Sequence, residues 1–189
     1  MRHPILLAVW IAGVSAVAGC GERNANATVE RAFKDVNVVD ETNLSDVMLT
    51  VADPNEAVTY FARSVKADPE RIDHQRGLAS SLIRAKRHTE GAVEWAKVTR
   101  MPGATADDRV SHADALIRAG DWAKAEATLN TIPPTHETFE RYRLEAIVAD
   151  SKEEWAKADS FYETAVGLTT TPAGVLNNWG YSKLTRGDY

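Results

Sequence analysis

Alanine recurs along this chain at an almost constant interval. Four positions follow a period of about 34 residues: Ala57, Ala92, Ala125 and Ala158. Four residues after each alanine come Phe61, Ala96, Leu129 and Tyr162. On a helix a residue four positions later lies on the same face, and a small residue lets a neighbouring helix approach closely. One helix pair cannot bury its apolar face alone, so this spacing predicts helix pairs that stack on one another.

Two further series follow the same period. Aromatic residues recur with it at predicted turns: Trp122, Trp155 and Tyr189. Prolines, which cannot continue a helix interior, mark the helix exits: Pro69, Pro102, Pro133, Pro134 and Pro172. No segment alternates with period two as a strand would. We therefore expect an all-α chain, with helices near 43–52, 54–67, 72–86, 89–100, 106–118, 121–131, 136–150, 153–167 and 173–186.

These units resemble the tetratricopeptide repeat (TPR), an α-solenoid of stacked antiparallel helix hairpins. The segments PNEAVTYFARSVKADP and LNNWGYSKLTRGDY carry the resemblance most clearly, and it covers about residues 42–189. It implies a set of residues that pack the repeats together: Ala57, Phe61, Ala92, Ala125, Leu129, Ala158, Tyr162 and Gly180. Because the chain ends at the turn of a repeat without its second helix, we expect it to be a fragment with more repeats to follow.

The sequence departs from the TPR pattern at two kinds of position. The glycine in the middle of the first helix is present only as Gly180, and small residues stand in its place elsewhere: Ser80, Ala113 and Ala146. The turn glycine is present as Gly120 and Gly187, whereas we assign Arg87 and Glu153 to the same position in the other units. Small residues still permit close helix packing.

The N-terminus has the pattern of a secretion signal. Ile5 to Ala18 is an apolar run of 14 residues, too short for a membrane-spanning helix of roughly 20 residues. Val17-Ala18-Gly19-Cys20 resembles a bacterial lipobox, which implies a signal peptide at 1–19 and lipidation of Cys20. A general signal peptide with an incidental cysteine is the alternative. The absence of an Asp after Cys20 favours the outer membrane. Residues 20–41 are interpreted as a flexible tether, and a short strand or helix that packs on the domain is the alternative.

The sequence contains no recognisable catalytic or metal-binding motif. A net charge of −5 without a Lys/Arg block argues against nucleic-acid binding. Phosphate-loop, dinucleotide, zinc-protease and serine-hydrolase motifs are absent, and the five histidines are well separated. We expect no enzyme activity, no catalytic residue, no metal, no cofactor and no small-molecule substrate. Trp122 and Trp155 are interpreted as core residues rather than ligand-stacking ones.

The TPR resemblance implies a concave surface lined by the first helix of each unit. Mapped onto this chain, the groove positions include Arg84, Asp114, Arg118, Arg143, Asn177 and Tyr181. This mixture of charge, amide and aromatic ring suits an extended peptide or a partner helix. The Lys and Asn pairs of the family's carboxylate clamp are missing. A merely solvated face is the alternative.

A lipobox followed by TPR-like units resembles the TadD-type lipoproteins of tight-adherence (Flp-type) pilus assembly. The segments DETNLSDVMLTVADPNEAVTYF and VLNNWGYSKLTRGDY carry this resemblance. It implies a lipid-anchored scaffold that faces the periplasm and supports the outer-membrane secretin of the pilus machine. Two alternatives stay open: an adaptor for another envelope complex, in outer-membrane assembly or cell-wall synthesis, and the accessory domain of an enzyme that lies beyond residue 189.

Overall fold

The computed structural model describes residues 43–188, and no strand occurs among them. The chain divides into two units, Met1–Asn43 and Leu44–Tyr189. The predicted signal peptide, Cys20 and the tether lie outside the described residues. The prediction of an all-helical fold is confirmed. The helices are α1 (43–50), α2 (Pro54–Ala67), α3 (Ile72–Arg84), α4 (His88–Val98), α5 (Ala106–Arg118), α6 (Trp122–Leu129), α7 (Phe139–Ser151), α8 (Trp155–Gly167) and α9 (Ala173–Arg186).

Local side-chain chemistry determines where several helices begin. Helix α5 begins at Ala106, as the predicted range 106–118 requires, after a reciprocal capping box in which the Asp108 carboxylate accepts from the Thr105 amide at 2.7 Å. Helix α7 begins three residues later than predicted, at Phe139, because the Thr138 hydroxyl caps the amide of Arg141 at 3.4 Å. The prolines predicted to mark helix exits lie outside the helix interiors. Pro69, Pro102, Pro133 and Pro134 lie between helices, and Pro172 is the residue directly before the first residue of α9.

One turn geometry occurs four times. After α3, α5, α7 and α9 a residue adopts a left-handed conformation, and the following amide donates to the carbonyl five residues earlier at 2.9–3.0 Å. The left-handed residues are Lys86, Gly120, Glu153 and Gly187, with φ of 60°, 79°, 60° and 79°. The assignment of Arg87 to this position is therefore wrong by one residue, and Lys86 takes it. The turns recur about every 34 residues, so the backbone repeats the period seen in the sequence.

Each helix from α2 to α9 packs against the next one along the chain, and α7 also contacts α5 and α9. Three residues join α3 to α4, α5 to α6 and α7 to α8, so the two helices of each of these pairs run in opposite directions. Seven of the eight residues expected to pack the repeats are buried, with at most 6% of their surface exposed: Ala57, Phe61, Ala92, Ala125, Leu129, Ala158 and Tyr162. Gly180 differs, because it is exposed and a Cβ added there would meet no heavy atom within 4 Å.

Helices α2 and α3 approach each other closely at Gly77 in α3. A Cβ built on Gly77 would lie 2.3 Å from Cε1 of Phe61 in α2, so the phenyl ring occupies the space that a side chain would need. Ser80, which the sequence pattern aligns with the family's helix glycine, is three residues further along the same helix. Among residues 43–188, none of the helices is long and apolar enough to span a membrane.

Candidate functional site

Two neighbouring cavities lie along one face of the odd-numbered helices, and together we call them the α5–α9 groove. The first, of 270 Å³, lies between α3, α4, α5 and α7. The second, of 340 Å³, lies between α6, α7, α8 and α9. Helix α7 contributes Glu140 and Arg143 to the first cavity and Ile147 and Asp150 to the second. Because these residues are three or four positions apart, they form one stripe along α7 and make the cavities adjacent.

The first cavity has an apolar floor and a charged rim. Its lining residues are Ser80, Ile83, Trp95, Val110, Ser111, Asp114, Glu140, Arg143 and Leu144. The Asp114 carboxylate accepts a hydrogen bond from Arg118 at 2.5 Å and one from Arg143 at 3.4 Å. The structure thus brings together three of the predicted groove residues, which come from α5 and α7. The longer Arg143 contact leaves most of that guanidinium's five donors available to a ligand.

Arg84 has a different environment from the one predicted. Its guanidinium donates to the carbonyls of Met48 at 2.8 Å and Ala52 at 2.9 Å. Carbonyls at the end of a helix lack partners within that helix, and a cation there also complements the helix dipole. Arg84 therefore holds the end of α1 against α3. The sequence pattern gave the correct helix face but contained no sign of this distant partner.

The second cavity is aromatic at its rim and polar at its floor. Trp122 is 41% exposed and Tyr181 is 68% exposed, and Trp155 lies beside them. The interpretation of Trp122 as a core residue is therefore wrong: it is the first residue of α6, directly after the turn that follows α5, and it lines the second cavity. Exposed aromatic rings that converge on a cavity are typical of binding surfaces.

Asp150 organises the floor of the second cavity. Its carboxylate accepts from the Tyr162 hydroxyl at 2.8 Å and from the Ser182 hydroxyl at 2.7 Å. Burial, and then the hydrogen bond to Asp150, raise the pKa of Tyr162 well above its ordinary value, so the phenol stays a hydrogen-bond donor. Sequence reasoning missed Asp150 and Ser182 because they lie 32 residues apart and form no local motif.

The position of α9 is fixed by contacts to α8. The indole nitrogen of Trp179 donates to Asp159 at 2.6 Å, and Arg186 donates to both oxygens of the same carboxylate at 2.9 Å. Burial alone would raise the pKa of Asp159, but these hydrogen bonds lower it below its ordinary value. The charged pair therefore persists at neutral pH and joins α8 to α9, the helix that contributes Tyr181 to the cavity.

Asn177 lies outside both cavities. It is exposed on α9, and the neighbouring Asn178 lines the second cavity instead. The residues of α9 that line the cavity are Asn178, Tyr181, Ser182 and Thr185, which are spaced as one helix face, and Asn177 lies beside that face.

The described residues contain no cluster of three or more His, Cys, Asp or Glu side chains that could hold a metal ion. The groove offers instead a hydrogen-bonded carboxylate, an accessible guanidinium and exposed aromatic rings. This arrangement can bind polar and apolar side chains of another molecule. No protein-family model matches this chain, and no curated protein matches it.

Proposed function

We propose that this chain is a non-enzymatic protein-interaction scaffold, and that its helices form a TPR-like solenoid. The repeated left-handed turn supports the solenoid, because similar turns at a regular interval give successive helix pairs similar geometry. The contacts of α7 with α5 and α9 are those expected when the first helices of successive pairs stack.

The observation that carries the proposal is the exposure of Trp122 and Tyr181 at the rim of a 340 Å³ cavity. Large aromatic rings anchor many protein interfaces because they bury a large area and lose little conformational entropy. The first cavity adds the Asp114–Arg143 pair, which suits a polar or charged side chain further along the same ligand. An extended segment or a helix of a partner protein matches these spaced anchors.

The proposed setting is the periplasmic side of the bacterial outer membrane. The lipobox at Cys20 supports lipid anchoring, and the TadD-type resemblance supports a role in assembling the secretin of a tight-adherence pilus. In this setting the scaffold would hold secretin subunits or other assembly components near the membrane. Replacing Cys20 with Ser should abolish palmitate labelling, and unchanged labelling would refute the lipid anchor.

A deletion strain tests the pilus role. We expect loss of assembled secretin and of surface pili, both restored by the wild-type gene. A gene encoding Trp122→Ala together with Tyr181→Ala should restore neither, because both side chains are exposed and their loss spares the core. A matched control is Leu168→Ala, which removes an exposed side chain that lines neither cavity of the groove and should restore piliation fully. Normal piliation in the deletion strain would exclude the pilus role.

Co-purification distinguishes the remaining possibilities. The lipidated protein from detergent-solubilised envelope should retain the secretin, and the Trp122→Ala, Tyr181→Ala variant should retain about tenfold less or lower still, as expected for two interface anchors. Recovery of cell-wall synthases or the outer-membrane insertion machinery, with the same loss in the variant, would keep the scaffold and replace the pilus assignment.

A further inference from the structure

A further cavity, distinct from the two cavities of the α5–α9 groove, lies on the opposite side of α5. It has a volume of 570 Å³, lies between α4, α5 and α6, and is called here the α4–α6 cavity. Its basic lining consists of Arg100, Arg109, His112 and Lys124. Arg109 and His112 are three positions apart on α5, and the helical period points them away from Ser111 and Asp114, which line the groove. The two surfaces are therefore separate.

The cations of the α4–α6 cavity are mostly uncompensated. None of its lining residues is acidic, and neither Arg100 nor Arg109 pairs with a carboxylate in residues 43–188. Lys124 is neutralised by Asp121 at 2.5 Å. Burial, and then the positive charge of Arg100, lower the pKa of His112 below 6.5, so this imidazole is uncharged at neutral pH. Two positive charges remain, in a chain whose net charge is −5.

The corresponding cavity one helix pair further along the chain shows a different arrangement. It lies between α6, α7 and α8 and also contains three cations, Arg141, Lys152 and Lys157. Each of them pairs with a carboxylate of the same cavity: Glu145 at 2.9 Å, Glu126 at 2.6 Å and Glu154 at 2.9 Å. The positive charges are thus neutralised in the cavity between α6, α7 and α8, whereas two of them remain uncompensated in the α4–α6 cavity.

We infer that the α4–α6 cavity binds a phosphate monoester. Such a group carries a charge of about −1.5 to −2 at pH 7, which matches the two uncompensated guanidinium charges, whereas a single carboxylate would neutralise only one of them. Guanidinium groups bind phosphate oxygens through paired N–H donors. The hydroxyl of Thr128 also lines the cavity and makes no hydrogen bond within the described part of the chain.

The test is a titration of the full chain, observed through the NMR signals of the His112 ring. The probes are inorganic phosphate, glycerol 3-phosphate and, at equal ionic strength, acetate. Both phosphates should shift the His112 signals and saturate, and acetate should not. Arg100→Glu should weaken phosphate binding by about tenfold or more, because a charged hydrogen bond is replaced by repulsion. Arg100 is exposed, so this variant should fold; Arg109→Gln, which removes the charge but keeps a polar side chain at a partly buried position, should give a similar loss.

Lys157→Gln is the matched control. It removes one positive charge from the paired cavity between α6 and α8 and should change phosphate affinity by less than about twofold, as expected for an exposed pair. Vesicles of phosphatidic acid, compared with phosphatidylcholine, distinguish a lipid source of the phosphate from a soluble one. Binding to phosphatidic acid that Arg100→Glu abolishes identifies a lipid headgroup, and saturable binding of glycerol 3-phosphate alone identifies a soluble ligand.

Three results would overturn the inference. The first is the absence of binding to every phosphate probe, including phosphatidic acid. The second is an equal response to acetate, which would show a general response to anions. The third is phosphate binding that Arg100→Glu and Arg109→Gln leave unchanged, because the phosphate would then lie elsewhere.

Discussion

At the scale of single residues, Asp108 links a helix start to a neighbouring helix. Its carboxylate accepts from the Thr105 amide at 2.7 Å and from two nitrogens of Arg76 at 2.8 Å. Burial alone would raise the pKa of Asp108, but the hydrogen bonds from Arg76 and Thr105 lower it below its ordinary value. One side chain therefore caps α5 and joins it to α3.

Asp108→Asn should lower the free energy of unfolding by about 2 kcal/mol at pH 7, since it removes the more buried of the two carboxylates that pair with Arg76 and leaves only the exposed Asp73. A depressed pKa in the folded state stabilises the protein above the unfolded value of about 4, and this contribution is lost as the pH falls further. The difference in the free energy of unfolding between the wild type and the Asp108→Asn variant should therefore become smaller below about pH 4. Urea denaturation across pH measures it, with the exposed Glu163→Gln as control. If this difference in the free energy of unfolding stays constant with pH, Asp108 does not stabilise the fold as an ionised partner of Arg76.

The left-handed turns give a second prediction at this scale. Lys86 and Glu153 adopt the same left-handed backbone conformation as Gly120 and Gly187. This conformation is energetically unfavourable for a residue with a Cβ. Lys86→Gly should raise the free energy of unfolding by about 0.5–1 kcal/mol, and Gly120→Ala should lower it by about 1 kcal/mol. Chemical denaturation of both variants measures these shifts. Destabilisation by Lys86→Gly would show that the lysine side chain contributes more than the turn geometry costs.

At the scale of helices, packing between α2 and α3 depends on Gly77, because this residue has no side chain. The Phe61 ring lies where a Cβ on Gly77 would be placed, so these helices approach more closely than other side chains would permit. Helix α9 combines apolar and polar contacts: Val175 and Trp179 pack in a core cluster, and hydrogen bonds join Asp159 to Trp179 and Arg186, and Asp150 to Ser182.

Gly77→Ala should lower the free energy of unfolding by about 2 kcal/mol, because the added methyl group and the Phe61 ring compete for one space. Adding Phe61→Leu should recover part of that loss, and a double-mutant cycle measures the coupling. Gly180→Ala is the control: it fills empty space on a helix and should stabilise the chain by about 0.5–1 kcal/mol. Equal effects of the two alanine substitutions would contradict the close approach at Gly77.

The sequence predicts helices better than it predicts contacts between them. The bounds of α2, α5 and α9 agree with the predicted ranges, because period, prolines and caps are local signals. The role of Arg84 at the end of α1, the Asp150–Ser182 bond and the exposure of Trp122 depend on residues far away in the chain. A repeat pattern assigns a residue to a helix face, but it contains no information on which partner that face meets.

At the scale of the whole molecule, the described helices present two chemically different surfaces. The α5–α9 groove combines exposed aromatic rings with a hydrogen-bonded carboxylate, and the α4–α6 cavity carries uncompensated positive charge. Because they lie on opposite sides of α5, a protein partner in the groove leaves the cavity accessible to a phosphate. The proposed scaffold could then bind two ligands at the same time.

Site-specific photo-crosslinking in living cells tests the central claim, that the α5–α9 groove is the surface that binds a protein partner. A crosslinking amino acid replaces Asn178 or Thr185, which line the second cavity beside the two anchors, and Leu168 at an exposed control site. We predict discrete adducts with the secretin from both groove positions and none from position 168. Absence of adducts at positions 178 and 185, or the same adducts from position 168, would contradict the account.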